Sequence, residues 1–266
     1  MADHGPGCRA LSSPKRLATV AGAPAAYLEA GRGRPVVFVH GAGGRGEVWL
    51  PQLAGLADVA RLVAVDLPGH GGSEGRGCRS VDDYAAWLLA LLAALGLERV
   101  VLVGHSMGGA IAQTVALAQP ERLDGLVLVG TGARLRVLPR ILELLRDDPP
   151  RGASLIASLA YSPRTAPGAV IEAERALAAT PALVTLGDFG ACDRFDVMAK
   201  LGGVRVPTLV VVGRDDRLTP PKYAGWLAAT IPGARLVEVE AAGHFPQLEQ
   251  AAAVNAALRA FLAALP

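Results

Sequence analysis

The chain has no strong excess of charge of either sign. Its 26 basic and 24 acidic side chains over 266 residues leave a formal net charge of +2. That excludes a strongly basic nucleic-acid binder and a polyelectrolyte kept unfolded by self-repulsion. Cysteine is scarce: Cys8, Cys78 and Cys192 are odd in number and far apart. No disulfide framework and no Cys-x-x-Cys metal site is expected, and a reducing cytoplasm is the expected compartment. Aromatics make up only 5%. Long apolar runs are missing despite a 52% hydrophobic composition; the longest, Ala85 to Leu97, is bounded by Asp83-Tyr84 and Glu98-Arg99. It falls short of the roughly 18 residues that span a bilayer, so a buried helix is expected there and no transmembrane segment. Met1 to Arg16 contains Pro6 and Pro14 but no apolar stretch of a secretory signal, and reads as an unstructured leader. No period of 20–50 residues repeats, which argues against a solenoid. The five histidines show no His-x-x-x-His spacing, so no zinc centre is expected.

What is present is an alternation of short apolar runs and helical patterns. Thr19–Ala30 reads as a hairpin around Gly22-Ala23-Pro24. Strands are expected at Pro35–Val39, Arg61–Asp66, Val100–Val103, Gly125–Val129, Pro207–Val212 and Arg235–Val239. Between them lie helical patterns: one capped by Ser80 or Asp82 and running to Ala94, then Met107–Ala118, Tyr223–Thr230 and Ala251–Leu265. Runs that are apolar throughout are buried on both faces, as in a parallel sheet covered by helices. The fold class is therefore α/β, doubly wound. Residues 133–200 break the alternation. They carry helical patterns at Leu135–Arg146, Ala153–Leu159, Val170–Ala179 and Ala182–Lys200, separated by prolines and without a clear strand. That is too long for an ordinary connection and reads as a helical insertion over the C-terminal edge of the sheet.

Gly104-His105-Ser106-Met107-Gly108-Gly109 follows one strand and opens one helix. This is the context of a nucleophile elbow, in which a sharp strand-to-helix turn presents a serine at a helix N-terminus. Side chains at Gly104 and Gly108 would clash at the close approach. A serine hydroxyl is a weak nucleophile and needs a base. His4 lies in the leader, His40 and His70 sit in glycine-rich turns, and His105 neighbours the serine on the opposite side of the elbow. His244, beyond the last strand, completes an order of serine, acid, histidine. The acid that orients it is expected after Val212, at Asp215 or Asp216; the strand ending at Val129 is followed by Gly130-Thr131-Gly132, with no acid. Oxyanion donors are expected from the Met107 N–H and from the loop His40-Gly41-Ala42-Gly43-Gly44, where Ala42 N–H is the choice.

With these pieces assembled, the chain resembles the α/β-hydrolase superfamily from about Leu17 to its C-terminus. The resemblance rests on His40-Gly41, Asp66-Leu-Pro-Gly-His-Gly-Gly-Ser73, Gly104-x-Ser106-x-Gly108, Gly213-Arg-Asp-Asp216 and Gly243-His244. It implies an α/β-hydrolase fold with a core of residues 1–132 and 201–266 and a helical cap of residues 133–200. It favours Asp216 over Asp215 as the acid, and it makes Asp66–Ser73 a structural turn. A serine nucleophile sets the chain apart from dehalogenases and epoxide hydrolases that use aspartate there. His105 and Phe245 stand where meta-cleavage carbon–carbon hydrolases carry Asn and Trp. The resemblance thus implies a carboxylesterase-like enzyme with Ser106, Asp216 and His244 as catalytic residues, and no metal or organic cofactor. Its partner is a small ester. An enol-lactonase or perhydrolase, a carbon–carbon hydrolase and a non-catalytic ligand binder are the alternatives. An apolar cap could also support a homodimer. Asp188 to Met198, rich in acids and aromatics, has no catalytic role in this reading.

Overall fold

The computed structural model describes residues 15–266. The expected leader therefore lies outside the described residues up to position 14, while Arg16 already belongs to the first strand. Strands β1 (Arg16–Val20), β2 (Ala23–Gly31), β3 (Pro35–Val39), β4 (Arg61–Val65), β5 (Val100–His105), β6 (Leu123–Val129), β7 (Thr208–Gly213) and β8 (Arg235–Val239) form one eight-stranded sheet. Its order is β1-β2-β4-β3-β5-β6-β7-β8. β1 and β2 pair antiparallel, as do β2 and β4, and every other pairing is parallel. The hairpin turns at Ala21 and Gly22, both at positive φ, rather than at Ala23-Pro24, which already pair with β1. Two consecutive left-handed residues match the twist of the flanking strands.

The helices are α1 (Leu50–Leu56), α2 (Val81–Ala94), α3 (Met107–Ala118), α4 (Pro139–Asp147), α5 (Pro149–Ala160), α6 (Pro167–Ala178), α7 (Ala182–Arg194), α8 (Pro221–Thr230), α9 (Pro246–Glu249) and α10 (Ala251–Ala263). Alternate residues of each parallel strand serve opposite layers. Val37 and Val39 of β3 belong to one buried layer that also holds Leu88 of α2, Ile111 of α3 and Leu227 of α8. Val36 and Phe38 belong to the buried layer on the other face, which also holds Leu56 of α1 and Leu258 and Phe261 of α10. Both sets are buried, which is why these strands read as unbroken apolar runs. Ser80 caps α2 by accepting the Asp83 N–H at 3.1 Å.

The helices α4 to α7 are inserted between β6 and β7. Three of them begin on proline, where the missing N–H costs nothing because the first turn has no intrahelical acceptor for it. The helix expected from Leu135 starts only at Pro139. Leu138 must stay extended (ψ 125°) because the proline ring clashes with a helical predecessor. The helix expected to reach Lys200 ends at Arg194, because Asp196 turns into a β-bridge with Arg134. The insertion has a small core of its own around Ile141, Leu145 and Ile156. No helix among the described residues is long and apolar enough to cross a membrane.

Candidate active site

The loops that follow β3, β5, β7 and β8 meet at the C-terminal edge of the sheet, beneath α4 to α7. Ser106 stands between β5 and α3 with φ 53° and ψ −116°, a left-handed conformation that costs a non-glycine residue of order 1–3 kcal/mol. The surroundings enforce it. The Ser106 N–H donates to Val129 O at 2.9 Å, and the Thr131 hydroxyl donates to Ser106 O at 2.8 Å. A Cβ on Gly104 would collide with the Gly108 carbonyl, and one on Gly108 with the carbonyls of Val39 and His40. These two glycines therefore let α3 start directly under β3.

Asp216 and His244 come from different turns and meet. The His244 Nδ1–H donates to Asp216 Oδ2 at 2.9 Å. The same oxygen accepts the Thr219 hydroxyl at 2.8 Å, and Oδ1 accepts the N–H groups of Leu218 and Thr219 at 2.9 and 2.8 Å. Burial pulls the Asp216 carboxyl upward, but the adjacent imidazole and the Thr219 donors outweigh it and hold the group below its ordinary 3.8. Asp216 is thus a carboxylate with its remaining lone pairs occupied, able to select the His244 tautomer that leaves Nε2 unprotonated. Asp215 points elsewhere: its Oδ2 accepts the Ser162 hydroxyl at the end of the α5 connection.

His244 is also fixed through its backbone. Its N–H donates to Ala160 O, and its carbonyl accepts the Nε2–H of His105 at 2.8 Å. His105 is buried against the rings of His244 and Phe245, each at 4.7 Å. Desolvation, followed by the neighbouring His244, pushes its pKa down to about 3, so it remains neutral. Glu249 braces the same loop by accepting the N–H groups of Gly243 and Phe245 on one oxygen and that of Ser162 on the other. Motif spacing gave no sign of Thr219 or Glu249. They act through turns whose shape is set only after folding.

Ser106 and His244 line one cavity of about 410 Å³ with Gly41, Ala42 and Gly43, a size within the range of small-molecule sites. The inserted helices roof it with Ile141, Ile156, Leu177 and Phe189. The Met107 N–H is the first of α3 and has no intrahelical acceptor. Among the described residues, neither it nor the Ala42 N–H donates to a loop, turn or side-chain acceptor. Cys192 also lines the cavity, but burial raises its thiol pKa well above the ordinary 9.0 and keeps it protonated. No group of three or more His, Cys, Asp or Glu side chains among the described residues converges as a metal cage. The Asp66–Ser73 segment is a structural turn: Asp66 accepts the N–H groups of Gly46 and Gly72, and Ser73 bonds Ala26 N and Asp66 O.

A mostly parallel sheet, a serine on a strained strand-to-helix elbow and an Asp–His pair at the same edge define the hydrolase class of α/β fold. The chain belongs to the α/β-hydrolase fold family, whose profile matches residues 34–251. It is 35% identical to the polyketide synthase ThaQ of Burkholderia thailandensis over 91% of this chain, and spans 12% of that protein's length. It is also 35% identical to RutD of Azorhizobium caulinodans, over 80% of this chain and 85% of that one. A solved thermophilic esterase is 37% identical with a TM-score of 0.84, covering 94% of this chain and 97% of its own.

Proposed function

We propose that the protein is a serine hydrolase that cleaves small to medium carboxylic esters through an acyl-enzyme. The observation that carries this reading is the buried Asp216–His244 pair lying beside the cavity that Ser106 faces. The likeness to an esterase of known structure supports it. In the first half-reaction His244 Nε2 takes the Ser106 proton and Ser106 Oγ attacks the ester carbonyl. The negative charge that develops on the carbonyl oxygen is held by the Ala42 and Met107 N–H groups, each worth about 3 kcal/mol of barrier. His244 then hands its proton to the departing alkoxide. Water repeats the cycle on the acyl-enzyme and releases the acid. Asp216 keeps His244 in the right tautomer and stabilises the imidazolium formed in both halves.

The helical cap of residues 133–200 roofs the pocket in this reading and sets how large an acyl or alcohol group fits. The free thiols of Cys78 and Cys192 suit a reducing cytoplasm. Leu138, Ile171 and Leu183 are exposed on or beside the inserted helices, and these are the apolar side chains a homodimer would cover. The test is the initial rate on p-nitrophenyl esters of increasing acyl length, with Ser106→Ala alongside. Turnover that the variant abolishes is the expected result, and the preferred length measures the pocket. Wild-type rates no higher than those of the variant would overturn the ester reading and direct the search to lactones and ring-fission products.

A further inference from the structure

The loop carrying the Ala42 N–H is glycine-rich, and glycine restricts its own backbone least of all residues. Here three consecutive peptides of that loop, between Gly41 and Gly44, are held from outside or across the turn. The Gly41 carbonyl, which shares a peptide with the Ala42 N–H, accepts from His40 Nδ1 at 2.8 Å and from the Gly44 N–H at 3.0 Å. The next peptide gives its Gly43 N–H to Asp188 Oδ2 at 2.9 Å. The one after accepts, at Gly43 O, the Thr180 hydroxyl at 2.8 Å. Thr180 and Asp188 both belong to the inserted helical segment, Asp188 on α7 and Thr180 in the turn before it. Gly43 sits at φ +64°, and a Cβ there would collide with Leu177 of α6. The insertion therefore grips both polar groups of one residue, directly after the expected oxyanion donor.

Asp188 is no flexible surface acid. It is fully buried, and its carboxylate also receives the Tyr84 hydroxyl on Oδ1 at 2.5 Å and His70 Nε2 on Oδ2 at 2.8 Å. Tyr84 is on α2 and His70 in the turn after β4, so the core fixes this carboxylate from two sides while its remaining contact fixes the loop. Burial and the adjacent carboxylate raise the Tyr84 phenol far above its ordinary range, keeping it a donor.

We propose that Asp188 and Thr180 are positioning residues that hold the oxyanion loop, so that docking of the inserted helices completes the catalytic site as well as roofing it. This rests on the serine-hydrolase reading, with Ala42 N–H as an oxyanion donor. A mispositioned donor weakens only what forms in the transition state, so kcat falls while KM stays. Thr180→Val keeps the shape and removes the hydroxyl; Thr180→Ser restores it. Asp188→Ala removes the acceptor; Asp188→Asn keeps one oxygen for the Gly43 N–H. The expected result is a fall in kcat of about tenfold for T180V and up to about 100-fold for D188A, bounded by the loss of a whole oxyanion donor. KM should hold, and T180S and D188N should recover most of the rate. Affinity for an alkyl boronic acid, which bonds to the serine and places an oxygen in the hole, should weaken in step with kcat. If D188A does not fold, the threonine pair decides alone. Wild-type kcat in T180V, equal losses in T180V and T180S, or unchanged boronic-acid affinity would overturn the proposal. Full turnover by Ser106→Ala would instead remove the reading beneath it.

Discussion

Acid should destabilise this protein through two histidines that never meet the substrate as bases. His40 and His105 are buried, and both pKa values are pushed down to about 3. Burial is the main cause in each; His70 adds to it at His40 and His244 at His105. Unfolding returns both imidazoles to water and to a pKa near 6.5. The folded value lies below the unfolded one, so the unfolded chain binds more protons between about pH 3 and 6.5, and stability falls as pH falls through that window. At pH 5 each unfolded imidazole is almost wholly charged while each folded one is almost wholly neutral. Relative to pH 7.5 this costs about 2 kcal/mol per histidine, or about 4 kcal/mol together. A domain has only about 5–15 kcal/mol in total, so the effect is large. Urea unfolding at fixed ionic strength from pH 7.5 to 5.0, read by circular dichroism and fluorescence, measures it. His105→Asn should lower stability at pH 7.5 yet make the decline with acid about half as steep. A wild-type stability unchanged within about 1 kcal/mol across this range would refute the reasoning.

Replacing Ser106 by Gly should abolish turnover but raise stability by about 1 kcal/mol in urea titrations, since glycine accepts the positive φ without strain. Asp216→Asn should lower kcat by about 10⁴-fold by misorienting the His244 tautomer. Asp215→Asn should stay close to wild type, and steady-state rates on one ester compare the two. Gly108→Ala should cost about 3 kcal/mol in thermal unfolding, because its methyl would meet the backbone of Val39 and His40 rather than a movable side chain.

The central strands β3, β5 and β7 were legible because each carries a valine-rich apolar run, and α3 because Met107–Ala118 sits between an elbow and Pro120. Helix α1 was not, since Pro51 and Gly55 mask a seven-residue helix that packs on α10, β2 and β4. Pro149 and Pro150 read as breakers but open α5, because a proline is harmful inside a helix and harmless at its first turn. At the site, motif context picked out Ser106 and His244 but left Asp215 and Asp216 level until resemblance favoured one. The fold separates them by direction: one reaches His244, the other Ser162. Asp188 carried no signal of its own. Its partners Gly43, His70 and Tyr84 lie 145, 118 and 104 residues away in the chain, and no local pattern encodes such a meeting.

That separation bears on the order of events during folding. Contacts between Gly43 and the segment from Thr180 to Asp188 close loops of well over a hundred residues, and the entropic cost of closure rises, though slowly, with loop length. The sheet around β3, β5 and β6 can assemble from nearer neighbours first. A molecule arrested at that stage would already display its serine, yet the loop proposed to hold the oxyanion would still be slack. On this account hydrolytic competence is among the last properties a newly made chain acquires, and the appearance of activity during refolding is a clock for the arrival of α7.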